Sequence, residues 1–328
     1  MGAAAGQGSV ARYGVTAASA LGVVSLTPAE VAGAVGPDLG GGRAYLVGSL
    51  SSGLGNAGSD VDVHVLRTGL SAQVGPYMHF LGGVVVDVEC FPEEWVGQVA
   101  GAVRDLPHAR LPMGAVALGP PPRIAAGWST VARWLHAVPV DDGGREVFTP
   151  EEGRDILPVL ARTAYDELLT AVAVARLADR AAAAPQAREF LWRRASRQLQ
   201  ELRCRAAGDV TVNRKWLASR VRRFQLPDAG EARDEAGLRR SAERAGLPAA
   251  DEWLLTRLEP ADGLEPIRFA GRRRALNRHG RLVDAWSAGG TTAALVAEHG
   301  AARVLRALRR AELDVRADQD LTKEALTR

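Results

Sequence analysis

From Asp60 to Leu66 the chain reads Asp-Val-Asp-Val-His-Val-Leu. A repeat of two is the period of an extended strand, so Val61, Val63 and Val65 face one way and Asp60, Asp62 and His64 the other. Such a strand belongs in a sheet that buries the valine face, and the neighbouring segments supply one. Ala44 to Val47 reads as a short buried strand that opens into a Gly/Ser-rich loop from Gly48 to Ser59. Tyr77 to Leu81 and Val84 to Phe91, joined by Gly82-Gly83, read as a hairpin whose second strand carries Asp87 and Glu89 on one face. Upstream, Thr27 is placed to cap a helix with Pro28 at its first position, and Gly36-Pro37 is expected to end or interrupt it.

Around this unit the chain divides by composition. Residues 1–26 are small, Gly-rich and aperiodic, and are expected to form a flexible arm; 27–118 then make the compact strand-and-helix unit. Pro107, Pro112 and Gly119-Pro120-Pro121-Pro122 break regular structure and mark a boundary. From Pro150 to about Phe224 apolar residues recur at helical intervals (Ile156, Leu157, Leu160; Leu168, Leu169, Val172), so 119–226 is expected to be a helical domain. A charged, helix-breaking stretch from Pro227 to Gly237 opens a C-terminal segment, 227–328. In it Arg274 to Trp286 reads as a hairpin with Gly280 near its turn, and Thr291 to Val315 as helical. The fold class expected is α+β: a small mixed-sheet domain, a helical domain, and a smaller α/β or helical C-terminal segment.

Length and composition allow this. With 328 residues and 47% hydrophobic side chains the chain can bury two or three cores. Cys90 and Cys204 are far apart in sequence, which argues against a disulfide framework and a structural zinc site. No run approaches the ~18 apolar residues of a membrane helix. Ala17 to Leu26 is short and lacks the basic start of a signal peptide, so no membrane partner is expected and the cytoplasm is the default compartment. The net charge is only +3, but Arg203, Arg205, Arg214, Lys215, Arg220, Arg222 and Arg223 crowd one stretch that is a candidate to meet a polyanion.

The chemistry sits on the alternating strand. Carboxylates at i and i+2 project to one face, a spacing suited to joint ligation of a hard divalent cation. A third carboxylate on a neighbouring strand completes a two-metal site, and Asp87 is the candidate; Glu89 shares its face and is the alternative, Asp87 being favoured because it lies deeper in the apolar run. Leu46-Val47-Gly48-Ser49, ten residues, and Asp60-Val61-Asp62-Val63 together resemble the hydrophobic-Gly-Ser and Asp-x-Asp signature of the polymerase beta nucleotidyltransferase superfamily, and Val86-Asp87-Val88 resembles its third-acid strand. The resemblance spans roughly residues 27 to 115. It implies that Gly48 and Ser49 hold a triphosphate, that Asp60 and Asp62 bind Mg²⁺, two ions in all, and that Asp87 binds metal or helps deprotonate the acceptor. It implies transfer of a nucleoside monophosphate from an NTP, with ATP the expected donor, and release of pyrophosphate. A small catalytic domain followed by helices is similar in layout to aminoglycoside and lincosamide nucleotidyltransferases, which makes a small molecule the first expected acceptor. RNA or tRNA, protein, and a nucleotide-binding module without catalysis are the alternatives.

Other residues keep two readings. Lys215, one of two lysines, either closes over the triphosphate from the helical side or lies on a solvated face with Trp216 beneath it. His64 shares the acid face, as a contributor to the metal shell or an exposed strand residue. Asn56 is read as a turn residue with positive φ rather than a phosphate contact. Glu151, Glu152, Asp155 and Glu167 lie where an acceptor base would be sought, though early-turn acids are explained by the helix dipole. Asp318-Gln319-Asp320 also fits Asp-x-Asp, but lies in a polar tail without a preceding Gly-Ser loop and is read as solvated surface.

Overall fold

The computed structural model describes residues 13–141, 144–226, 232–247, 255–269, 272–279, 281–284, 286 and 289–327, and the fold is α+β. The first unit runs α1 (Ala17–Gly22), α2 (Pro28–Leu39), β1 (Arg43–Val47), α3 (Gly48–Ser51), β2 (Val61–Arg67), β3 (Val74–Leu81), β4 (Val84–Pro92) and α4 (Glu94–Val103). A hairpin, β5 (His108–Leu111) and β6 (Gly114–Ala117), follows, then α5 (Trp128–Leu135) and β7 (Val138–Pro139). The helical part is α6 (Pro150–Arg180), α7 (Pro185–Ala206), a 3-10 turn at Arg214–Trp216, α8 (Leu217–Arg223) and α9 (Glu235–Arg244). The rest comprises β8 (Thr256–Pro260), β9 (Glu265–Phe269), β10 (Arg272–Leu276), β11 (Leu282–Asp284), β12 (Gly290–Thr291), α10 (Thr292–His299), α11 (Ala301–Arg309), β13 (Leu313–Ala317) and α12 (Gln319–Thr327). Among the described residues no helix is long and apolar enough to cross a membrane.

The site is positioned by a five-stranded sheet of order β3-β4-β2-β1-β7, in which β2 and β4 run parallel and the other neighbours antiparallel. The valine face of β2 and β4 packs with α1 and α2. On the other face, Leu66 and Phe91 pack with α4, α5 and the start of α6 at one end, and the acids occupy the other. Helix α6, capped by Thr149 in a reciprocal box with Glu152, links this core to a second one shared with α7, β6, α9 and α12, and to a third formed with β8, α10, α11 and β13. The capping role accounts for Glu152; Glu151 pairs with Arg154, and Glu167 accepts hydrogen bonds from Gln198 and Arg214.

Several expectations change. Residues 17–22 are not a loose arm: α1 is held by a Thr16/Ser19 capping box and buries Ala17, Ala20 and Leu21 against the sheet, while residues 1–12 lie outside the described ones. Helix α2 starts at the Thr27 cap as expected but continues through Pro37, ending only at Gly40, whose φ of 48° is left-handed. The loop after β1 begins with a helical turn, α3. Segment 119–149 does not belong wholly to the helical part, because α5 packs on the sheet and β7 adds its edge strand. The expected hairpin is present as β10 and β11, with Gly280 outside the described residues, as are Pro227 to Glu231. The helical run from Thr291 stops at Arg309, and Leu313–Ala317 is a strand paired to β8. Asp318 is no solvated tail residue: its carboxylate accepts the Leu321 N–H at the start of α12, and Gln319 accepts from the buried Arg162.

Candidate active site

The parallel register of β2 and β4 sets Asp62 directly beside Asp87. Asp60 precedes β2 by one residue and is exposed, whereas Asp62 and Asp87 are half-buried, and one carboxylate oxygen from each of the three lies within 4.8 Å of the others. Of the two candidates for the third acid, Asp87 is the one in that group. Glu89 lies one row further on, level with His64, where its carboxylate accepts a hydrogen bond from Gln73.

Neighbouring carboxylates disfavour the ionisation of Asp62. Burial, more than the neighbours, pushes the Asp62 carboxyl up to about 6; Arg133 opposes the shift, and Asp60, Asp87 and Glu89 add to it. Among the described residues the buried Asp87 Oδ1 has no hydrogen-bond partner. An orphaned carboxylate oxygen beside two further carboxylates is costly unless a cation fills the gap. The residues therefore fit a hard divalent ion such as Mg²⁺.

Gly48 follows β1 with a φ of 79°, and a Cβ at that position would overlap the Asp62 carboxylate. The glycine is thus required twice, by its backbone and by the close approach of the acid strand. Ser49 is buried, and its hydroxyl makes no hydrogen bond to a described residue. Gly48, Ser49, Asp60 and Asp62 line a cleft that Arg133 from α5 and Lys215 from the 3-10 turn also line. The two cations reach this cleft from separate elements, and neither has a carboxylate partner among the described residues; the Lys215 ammonium lies 5.3 Å from the Trp216 ring centroid. Lys215, left open between site and surface by its sequence, is a cleft residue.

Other candidates fall outside the site. His64 is neither exposed nor in the acid group: it is 2% exposed, Trp134 Nε1 donates to its Nδ1 at 3.0 Å, and burial pushes its pKa down to about 3. Asn56 is a turn residue, but through its side chain, which accepts from the Gly58 N–H, and not through positive φ. The basic stretch is mostly consumed within the protein. Arg220 is enclosed by Glu201 and Asp209, Arg205 bonds to Leu160 and Thr163, and Arg223 bonds to the Ser52 and Gly53 carbonyls while lying over the Tyr13 ring.

Arg133 and His136 are cleft residues that the sequence did not single out. Arg133 has a weak local signal: Trp128, Val131 and Leu135 follow a helical apolar spacing, and Arg133 lies off that face. The chain matches no protein-family model and no curated protein.

Proposed function

We propose that this protein is a metal-dependent nucleotidyltransferase of the polymerase beta type, transferring a nucleoside monophosphate from an NTP, with ATP as the expected donor, to a hydroxyl or similar nucleophile. The observation that carries this reading is convergence. The acid triad, the Gly48-Ser49 turn and Lys215, separated by up to 167 positions of sequence, meet at one place.

Asp60, Asp62 and Asp87 are the residues that would hold Mg²⁺, which when bound polarises the phosphoryl oxygens and neutralises charge on the departing pyrophosphate. Gly48 lets the triphosphate approach the backbone, and the free Ser49 hydroxyl is available to donate to a phosphate oxygen. Lys215 and Arg133 face the same space, and neither is salt-bridged to a carboxylate among the described residues, which suits an anion of this size. In the reaction an acceptor oxygen bonds to the α-phosphorus as the bond to pyrophosphate breaks, and the acceptor proton passes to a carboxylate of the triad. Arg205, Arg220 and Arg223 bond within the protein, which weakens the support this stretch gave to an RNA acceptor, while Arg214, Lys215 and Arg222 are exposed.

The test is turnover of each α-labelled NTP with Mg²⁺ against amino sugars, tRNA and polypeptides, by wild type and by Asp60→Asn/Asp62→Asn. Label transfer with pyrophosphate release, reduced about 1000-fold or more in the variant, is expected. Nucleotide binding that needs no Mg²⁺ and survives both substitutions, with no transfer, would mean a binding module instead.

A further inference from the structure

Lys215 stands on a segment that the apolar cores do not hold. Among the described residues none of the hydrophobic cores includes a side chain of the 3-10 turn Arg214–Trp216 or of α8. Charged side chains anchor the segment instead. Arg220 bonds Glu201 on α7 and Asp209, which ties α8 to the helical part. Arg223, the last residue of α8, reaches the sheet unit: its Nη1 donates to the Ser52 carbonyl at 2.7 Å and its Nη2 to the Gly53 carbonyl at 3.0 Å. The guanidinium also lies over the Tyr13 ring, 4.2 Å from its centroid. Tyr13 in turn packs on His136, whose Nε2 accepts the Val210 N–H from the stretch that leads to Lys215. Ser52 and Gly53 close the turn that Gly48 and Ser49 open, and that turn has bonds of its own: the Ser51 and Ser52 hydroxyls donate to the Gly48 and Ser49 carbonyls, and the Leu54 N–H donates to Ser49. The two bonds from Arg223 therefore fix where the turn stands relative to α8 rather than the shape of the turn.

We propose that Arg223 is a positioning residue for the nucleotide: by clasping the Ser52 and Gly53 carbonyls it holds Lys215 at the distance from Gly48 and Ser49 that a triphosphate needs. This rests on the nucleotidyl-transfer reading above. Arg223 itself does not line the cleft, so it acts through Lys215 and not by touching the phosphates. With Arg223 removed, Arg220 is left as the charged anchor of α8 and becomes a pivot. Lys215 lies five residues from that pivot, about 8 Å along the axis, so a swing of about 15° carries its backbone by about 2 Å. A shift of about 2 Å is enough to break a hydrogen bond from the ammonium to a phosphate oxygen. Geometry, rather than charge, is what Arg223 supplies. The planar guanidinium presents a fixed fork that two adjacent carbonyls accept together, whereas a lysine ammonium is a point charge on a flexible stem.

The experiment is a double-mutant cycle on Mg·ATP binding, read by titration calorimetry on full-length protein: wild type, Arg223→Ala, Arg223→Lys and Lys215→Ala, and each Arg223 variant combined with Lys215→Ala. Arg223→Ala is expected to raise the dissociation constant about tenfold, equivalent to about 1.4 kcal/mol, and Arg223→Lys about fivefold. Once Lys215 is alanine, either change at Arg223 should cost less than about twofold, because the group it positions is gone. A loss from Arg223→Ala that is as large without Lys215 as with it overturns the proposal, since Arg223 then acts on the turn or on the fold at large. Wild-type affinity in Arg223→Lys overturns it as well, because charge alone would suffice. So does wild-type affinity in Arg223→Ala or in Lys215→Ala. If circular dichroism shows that Arg223→Ala does not fold, the Arg223→Lys arm of the cycle gives the same decision. A wild type that does not bind Mg·ATP overturns the nucleotidyl reading and this proposal with it, and that failure is read before any variant is compared.

Discussion

Two groups of charges within one chain solve the problem of burial in opposite ways. Around Arg220, which is fully buried, Nη1 bonds both oxygens of Glu201 at 2.9 and 2.8 Å and Nε bonds Asp209 Oδ2 at 3.0 Å; the other Asp209 oxygen accepts the Thr211 N–H. Burial alone would lower the Arg220 pKa, but Asp209 and Glu201 outweigh it and hold the guanidinium above its ordinary value. Among the described residues no cation is bonded to any of Asp60, Asp62 and Asp87, and one buried oxygen of the group has no partner. The first group is closed, its donors and acceptors matched within the protein. The second has no such match among the described residues. Partner count, rather than charge density, separates these two clusters.

The sharpest way to break this contrast is at Arg220. Arg220→Ala leaves two acids buried without their cation, and should destabilise the protein by about 3–5 kcal/mol. Urea unfolding monitored by circular dichroism measures it. A loss below about 1 kcal/mol would mean that water already reaches the cluster, and the distinction between closed and open groups would fail.

The sequence made one of these clusters visible and misread the other. Alternation over six residues is a local signal, so β2, the acid face and the Gly82-Gly83 hairpin were legible, and so was the Thr27 helix start, because caps are local too. The partners of Arg220 are 19 and 11 residues away, and nothing in the basic stretch from Arg203 to Arg223 distinguishes an enclosed arginine from a free one. Strand β7, Val138–Pro139, is too short to carry any period, so its place at the edge of the sheet was hidden. Leu313–Ala317 follows two helices without a break in composition, and it is a strand because β8 offers it an edge. At the site, the acids and the Gly-Ser turn lie within one stretch of sequence, whereas Arg133 and Lys215 join them only by tertiary packing.

The open group can be probed through its glycine. Gly48→Ala places a methyl against the Asp62 carboxylate and asks alanine to hold a φ of 79°. Gly69→Ala imposes a similar backbone cost at a φ of 76°, with nothing within 4 Å of the added carbon. Both should lose about 1 kcal/mol of stability from the backbone. Only Gly48→Ala should also weaken Mg²⁺-dependent transfer, by about 100-fold, equivalent to about 2.7 kcal/mol. Equal activity of the two variants would show that close approach at Gly48 is not needed for the reaction.

The smallest effect is the most discriminating, because its sign changes with the metal. Burial, with the neighbouring acids, raises Asp62 to about 6 in the folded protein, against about 3.9 in an unfolded chain. Below about pH 4 the carboxyl is protonated in both states and contributes no difference. As pH rises from there the unfolded chain ionises first, so the metal-free folded state loses stability until about pH 6, and above that the penalty is constant. Asp62→Asn removes the penalty, and at pH 8 without metal the variant should be more stable than wild type by about 1–2 kcal/mol, the gap closing below pH 4. Mg²⁺ at about 100 times its dissociation constant adds about 2.7 kcal/mol to a protein that binds it and nothing to one that does not. Thermal unfolding at pH 8 should therefore rank the variant above wild type in EDTA and below it in Mg²⁺. An asparagine variant that is the less stable of the two in EDTA would mean that Asp62 is held by partners inside the protein, as Asp209 is, and the acid group would then belong with the closed cluster around Arg220.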